Sequence, residues 1–208
     1  MATAQPKVTV QLMQDTDAEN PRKWDNLAMM VCAHRRYILG DEDGATEALD
    51  LIYEHLSERQ LNEMGFDSTH VPDIQQALEM TGKAIIMPLY LYDHSGITMK
   101  TKPFACPWDS GQVGFIFVSK AKVCAEQGWK RLNKARTEKV TAMLVGEVVV
   151  YDQYLTGDVW GFKVVENGEE TDSCWGFYGS DPLSNGVVEH LAGQAKQLVE
   201  AGQYQRIN

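Results

Sequence analysis

The chain has 208 residues, of which 44% are hydrophobic, and its 29 acidic and 19 basic residues leave a formal net charge of −10. This length and apolar content suffice for a sizeable buried core, which excludes disordered, collagen-like and coiled-coil chains. No apolar run approaches the roughly 20 residues that span a bilayer, and the N-terminus lacks the apolar centre of a secretory signal. We therefore expect a soluble, cytosolic protein.

The predicted elements of the first half are, in chain order, a strand (Lys7–Gln14), a buried helix or irregular packed segment (Trp24–Tyr37), a helix (Ala45–Met64), a shorter helix (Asp73–Thr81) and a strand (Ala84–Tyr92). The first strand alternates apolar and polar residues, whereas the longer helix repeats its apolar residues at helical spacing and ends at Gly65. Pro88 lies inside the last of these strands, and a proline there implies a sheet edge or a bulge.

The predicted elements of the second half are a strand (Gly114–Val118), a helix (Arg136–Tyr154), a hairpin (Asp158–Glu166 and Glu169–Tyr178) and a last helix (Ser184–Gly202). Ser119 suits the N-cap of a helix after the strand, and Val148 to Val150 would also suit a strand. Asn167-Gly168 between two aromatic and β-branched runs is a strong hairpin signal. Together these elements predict one α+β domain over residues 1–208, in which several helices pack on a small, mainly antiparallel sheet.

Charge is divided unevenly along the chain. Residues 1–79 carry 15 acidic and 6 basic residues, residues 80–140 carry 4 and 10, and residues 141–208 carry 10 and 3. Ordinary solvated faces explain such a division in most proteins. Two sharper hypotheses stay open: an acidic face that competes for a basic nucleic-acid-binding groove, or a basic middle that contacts phosphate. The basic residues concerned are Lys120, Lys122, Lys130, Arg131, Lys134, Arg136 and Lys139.

The segment Met87–Lys120 contains two apolar runs joined by a long polar and aromatic loop. Compact domains rarely keep such a loop unless function or unusual packing orders it. Its tetrapeptide Asp93-His94-Ser95-Gly96 has the residue types of a hydrolase triad, but a true triad joins distant segments of the chain. A turn explains the tetrapeptide better, and His94 is the best single candidate for a general base.

No metal or cofactor is predicted. The five histidines lie in separate segments without a metal-binding spacing, and phosphate-loop and dinucleotide fingerprints are absent. A hard-cation site formed by Asp93, Asp109, Asp152 and Asp158 would need long-range convergence, which the sequence does not test. The cysteines form no CxxC pair, so we expect four free, half-buried thiols: Cys32, Cys106, Cys124 and Cys174.

Three clusters interleave aromatic residues with Asp, Gln, Ser or Thr: Pro107–Gln112, Tyr151–Trp160 and Asp172–Gly179. This composition suits a pocket for a small molecule or a base, and it equally suits a protein-binding hot spot. A hydrogen-bonded core explains any single cluster, but the set of three predicts a shared polar-aromatic surface. The predicted ligand- or partner-binding residues are Trp108, Tyr151, Asp152, Tyr154, Trp160, Trp175 and Tyr178.

Six motifs distributed over nearly the whole chain carry a resemblance to a known family. They are PRKWDN (21–26), HRRYILGDED (34–43), PLYLYDHSGITM (88–99), PWDSGQVGFIFVSK (107–120), YDQYLTGDVWGF (151–162) and DSCWGFYG (172–179). In these motifs the chain resembles a family of uncharacterised proteins from bacteriophages, plasmids and integrated elements. The resemblance implies an accessory protein of a mobile element that acts in the bacterial cytoplasm, and it carries over neither an activity nor a catalytic residue.

Two functions remain as hypotheses. The first is a non-enzymatic counter-defence protein that binds and blocks a host CRISPR or restriction nuclease, so that its partner is a host defence protein or a protein–nucleic acid complex. The second is a protein that binds or hydrolyses a small molecule, such as a nucleotide. In the second hypothesis His94 is the base and Asp93, Asp109 or Asp158 assists it. Neither hypothesis involves a membrane.

Overall fold

The structure is a computed structural model that describes residues 7–207. Residues 1–6, on which part of the expectation about a secretory signal rests, lie outside the described range. The strands are β1 (Val8–Gln14), β2 (Met29–Cys32), β3 (Ala84–Asp93), β4 (Ile97–Lys100), β5 (Ser110–Ser119), β6 (Val159–Glu166), β7 (Glu169–Tyr178) and β8 (Gln205–Ile207). The α-helices are α1 (Gly44–His55), α2 (Glu58–Glu63), α3 (Val71–Thr81), α4 (Lys120–Glu126), α5 (Lys134–Thr156), α6 (Val187–His190) and α7 (Gly193–Glu200). A short 3-10 helix covers Pro21–Lys23.

The α+β class is confirmed, but the strands form two four-stranded sheets instead of one small sheet. The described chain divides into two compact units: unit 1 comprises residues 7–21 and 153–207, and unit 2 comprises residues 22–152. The single domain over residues 1–208 stays a prediction.

Unit 1 contains the sheet with strand order β7-β6-β1-β8, in which β8 runs parallel to β1 and the other pairs are antiparallel. The predicted hairpin is confirmed as β6 and β7, and Asn167 adopts a positive φ of 53° that suits its tight turn. The sheet packs against α6 and α7 through apolar side chains such as Phe162, Phe177 and Val199.

Unit 2 contains an antiparallel sheet with strand order β2-β5-β3-β4. Helices α1 and α3 cover it, and their buried residues, such as Ile52 and Leu78, form one core with Phe115 and Phe117 of β5. The strands β2 and β5 approach closely at Gly114, where a Cβ atom would lie 1.9 Å from the carbonyl oxygen of Val31. A glycine is therefore required at that position.

Several local predictions are confirmed. The segment from Lys134 to Thr156 is helical, and the hydroxyl of Ser119 accepts a hydrogen bond from the N–H of Lys122 at 3.1 Å as an N-cap. Pro88 lies where β3 pairs only with β5, and the register shifts directly after it, between Leu89 and Tyr90. Both the open edge and the irregularity that the proline implies are therefore present.

Other local predictions need correction. The segment Trp24–Tyr37 is not a helix. It is mostly irregular, as the second alternative stated, but it contains the strand β2, because a short apolar run fits a buried strand as well as a buried helix. The helix predicted over Ala45–Met64 is two helices, because Ser57 forms a capping box with Gln60 and starts α2 anew. The last predicted helix is likewise divided, since Leu191 is extended between α6 and α7.

No helix within residues 7–207 has both the length and the apolar character needed to cross a lipid bilayer.

Candidate functional site

Antiparallel pairing of β3 with β5 brings two of the predicted segments of unit 2 together. Tyr92 near the end of β3 pairs with Ser110 at the start of β5. One residue further, the N–H of Asp93 donates a hydrogen bond to the carbonyl oxygen of Asp109 at 2.8 Å. The turn after β3 and the loop before β5 therefore lie side by side, which places Asp93, His94, Trp108 and Asp109 in one region.

Of the polar side chains in this region, His94 and Asp109 are the pair most suited to acid–base chemistry. His94 Nδ1 lies 3.4 Å from Asp109 Oδ2, and 64% of the histidine side chain is exposed. The Cys106 thiol lies 3.6 Å from the same carboxylate oxygen. A carboxylate that accepts a hydrogen bond from an imidazole at about 2.6–3.2 Å orients the ring for proton transfer, and His94 and Asp109 lie slightly farther apart than this. His94 is thus a solvent-accessible imidazole beside a carboxylate.

Asp93 is occupied by other partners. Arg36 forms an ion pair with one carboxylate oxygen of Asp93, and the Tyr37 hydroxyl donates a hydrogen bond to the other at 3.4 Å. The rings of His34 and Tyr37 stack with centroids 5.0 Å apart. These contacts hold the segment 34–37 beside the end of β3, which sequence reasoning did not anticipate.

A cleft of about 330 Å³ lies among these three segments, and Trp108 stands beside it with 92% of its surface exposed. We call the whole the Trp108 surface; it comprises residues 34–37, 93–94 and 108–111. Ile38, which directly follows the first segment, is fully exposed, and Arg35 is exposed as well. Exposed Trp and Arg side chains on one surface are typical of a protein-binding hot spot.

Two other predicted binding residues of unit 2, Tyr151 and Asp152, do not line this cleft and form contacts within the fold. Tyr151 is only 2% exposed, and its hydroxyl accepts a hydrogen bond from the N–H of Gly40 at 3.1 Å. Burial raises the pKa of Tyr151. Asp152 accepts hydrogen bonds at 2.7 Å from the Thr98 hydroxyl and the Met99 N–H, which anchors β4. The ring of Tyr151 therefore belongs to the core and offers no surface to a partner.

The remaining predicted residues belong to unit 1. Asp158 accepts a hydrogen bond from the indole N–H of Trp160 at 2.7 Å, and the guanidinium of Arg206 lies 4.9 Å from the centre of the Trp160 ring. Trp175 is 44% exposed and covers Gly161, where a Cβ atom would lie 2.3 Å from its ring.

Tyr178 and Tyr154, also in unit 1, are half-buried. The Tyr178 hydroxyl donates to the carbonyl oxygen of Glu19, and burial, assisted by the charges of Glu19 and Asp15, raises the pKa of Tyr178. Participation of Asp158 in chemistry at His94 stays a prediction. A surface shared by the predicted binding residues also stays a prediction, except for the buried Tyr151.

The most connected polar group of unit 2 was not predicted. Arg22 is 8% exposed and binds both carboxylate oxygens of Asp41, at 3.0 and 2.7 Å, and Glu147 at 2.9 Å. Glu147 in turn accepts the N–H groups of Leu27 and Ala28 at 3.0 and 3.2 Å. We call Arg22, Asp41 and Glu147 the buried ion network. Its only signal in the sequence is that Arg22 and Asp41 fall within two of the quoted motifs.

All four cysteines are free, as predicted. Burial raises the pKa of the Cys32 thiol to about 12, and the nearby charge of Asp41 acts in the same direction. A thiol with such a pKa stays protonated at neutral pH, so Cys32 is not a nucleophile.

No group of three or more His, Cys, Asp and Glu side chains within residues 7–207 is placed to hold a metal ion. Within unit 2, Asp93, Asp109 and Asp152 of the hard-cation alternative therefore do not form such a group. Thus the arrangement can offer a base at His94 and an exposed aromatic and cationic contact at Trp108. No protein-family model, no curated protein and no solved structure matches the chain.

Proposed function

We propose that the protein serves a bacteriophage or another mobile element as a counter-defence protein, which binds and blocks a host nuclease or nuclease complex of CRISPR or restriction type in the bacterial cytoplasm. The Trp108 surface makes the contact. The mobile-element context rests on the resemblance of six motifs, and the binding role rests on the structure of unit 2.

The observation that carries the proposal is the exposure of Trp108. A tryptophan that is 92% exposed leaves a large apolar ring in water, and burial of this ring in a partner's pocket would supply much of the binding free energy. Ile38, which directly follows the segment 34–37 in the sequence, is a second fully exposed apolar side chain. Arg35, an exposed cation three residues before Ile38, suits a carboxylate at the rim of the partner's pocket.

The overall charge supports a basic partner. The helix α1 presents the exposed acidic residues Glu47, Asp50 and Glu54 beside a groove of about 230 Å³, and the whole chain has a net charge of −10. Nucleic-acid-binding grooves of nucleases are basic, so this field would speed encounter with them. We assign it to attraction at long range, whereas the Trp108 surface supplies the specific contact.

The test is affinity capture of the tagged full chain from bacteria that contain an active CRISPR or restriction system, followed by mass spectrometry. We expect a nuclease subunit to be captured, and the affinity of the purified pair to fall at least about 30-fold in Trp108→Ala, since a hot-spot residue contributes about 2 kcal/mol or more. The matched control is Trp24→Ala, which removes a partly exposed tryptophan of unit 2 that is not among the predicted binding residues, and which should leave the affinity unchanged.

A second candidate function has its own observation: His94 lies 3.4 Å from Asp109, and Asp109 lines a cleft whose volume suits a small ligand. In this case His94 is the base, and the protein binds or hydrolyses a small molecule such as a nucleotide. The same experiment separates the two functions. Capture of no host protein, together with a small molecule retained on native purification, would reject the first proposal in favour of the second.

A further inference from the structure

A basic surface lies at a different place in unit 2, in the loop between α4 and α5 and the first turns of α5. Between Gln127 and Gly146 the chain has five basic residues and a single acidic one, Glu138. The basic residues are Lys130, Arg131, Lys134, Arg136 and Lys139, which we call the basic surface. None of them forms an ion pair with a carboxylate of residues 7–207. Their charge is therefore not neutralised within the described chain.

Internal contacts hold the basic surface in place. The guanidinium of Arg136 lies 4.9 Å from the centre of the Trp129 ring and donates a hydrogen bond to the carbonyl oxygen of Arg131 at 2.7 Å. The ammonium of Lys139 lies 5.7 Å from the same ring. Asn133 caps α5, since its side chain accepts a hydrogen bond from the N–H of Arg136 at 2.9 Å. The loop and helix thus display several cations on a defined backbone.

The surroundings of the Trp129 ring indicate which kind of nucleic acid suits the basic surface. Single-stranded nucleic acids bind through bases that stack on open aromatic rings. The ring of Trp129 is half-buried and carries two cations, so it is not an open platform for a base. The exposed side chains of Lys130, Arg131 and Lys134 instead suit phosphates, which carry no sequence information.

We infer that the basic surface binds the phosphate backbone of duplex DNA without sequence preference. This inference goes beyond the proposed function, because it needs neither the Trp108 surface nor a protein partner. The net charge of −10 opposes such binding at long range, so the interaction should be weak and highly sensitive to salt.

The test is fluorescence anisotropy of a labelled random-sequence duplex of about 20 base pairs, titrated with the full chain at several salt concentrations between 50 and 200 mM. We expect binding at 50 mM salt, and a logarithmic salt slope of about −3 to −4 if four exposed cations contact phosphates. The triple variant Lys130→Gln, Arg131→Gln, Lys134→Gln should bind at least about tenfold more weakly and reduce the slope by about 3.

The matched control removes the same charge from exposed lysines elsewhere in unit 2, as Lys23→Gln, Lys83→Gln, Lys102→Gln. This control variant should retain most of the affinity for the duplex. Absence of wild-type binding at 50 mM salt, equal weakening in both triple variants, or binding to anionic lipid vesicles but not to the duplex would each overturn the inference. Because all six side chains are exposed, we expect both variants to fold, and circular dichroism tests this.

Discussion

Two polar clusters of unit 2 use the same residue types in opposite environments. The buried ion network joins Arg22 to two carboxylates with side-chain exposures of 3%, 7% and 16%, whereas the Arg36 and Asp93 pair of the Trp108 surface has exposures of 53% and 17%. Every charge of the network has a partner, while the surface leaves Trp108 and Arg35 available. The two clusters thus differ mainly in the arginine, which is buried in the network and largely exposed in the Trp108 surface.

The largest effect that tests this contrast is the loss of Arg22. The change Arg22→Met leaves the carboxylates of Asp41 and Glu147 buried without their counter-charge, and we expect the free energy of unfolding to fall by about 3–5 kcal/mol. Urea denaturation followed by circular dichroism measures it. A loss under about 1 kcal/mol would mean that the network does not support the fold.

A smaller effect is expected at Tyr151, which the sequence suggested as a binding residue. The change Tyr151→Phe retains the ring but leaves the Gly40 N–H without its acceptor, so stability should fall by about 1–3 kcal/mol. Capture of the partner by the folded variant should be unchanged. If instead stability is retained and capture is lost, Tyr151 belongs to the binding surface after all.

The smallest change in stability is expected at Arg36. Because its ion pair with Asp93 is largely exposed on the arginine side, Arg36→Met should change the free energy of unfolding by no more than about 1 kcal/mol. It should nevertheless weaken capture of the partner, since it releases the segment 34–37. The same substitution type at Arg22 and Arg36 therefore makes a matched pair, and equal losses of stability at both would remove the distinction between the clusters.

Local signals made part of the fold predictable. Asn167-Gly168 specifies the turn between β6 and β7, Ser119 caps α4, and Pro88 marks the open edge of β3, because each acts through residues next to it in sequence. The strand β2 was not predictable as a strand, since four apolar residues have no distinctive period. Its identity depends on pairing with β5, including the glycine at position 114.

The candidate site was predictable to a similar extent. His94 and Trp108 were identified from composition, but their meeting depends on the register of β3 and β5, which the sequence does not display. The position of residues 34–37 beside the end of β3 depends on a contact between Arg36 and Asp93, which are 57 positions apart in the sequence. Composition also suggested Tyr151 and Asp152, because an aromatic residue beside an acid looks the same in a core as on a surface.

The spacing of the buried ion network has a consequence for protein synthesis. Asp41 follows Arg22 by 19 residues, but Glu147 follows it by 125. At about 5–20 residues per second, the ribosome adds Glu147 roughly 6–25 s after Arg22. During that interval the arginine has only its first carboxylate, and the N–H groups of Leu27 and Ala28 lack their acceptor. A nascent chain thus completes this part of unit 2 only when most of α5 has been made.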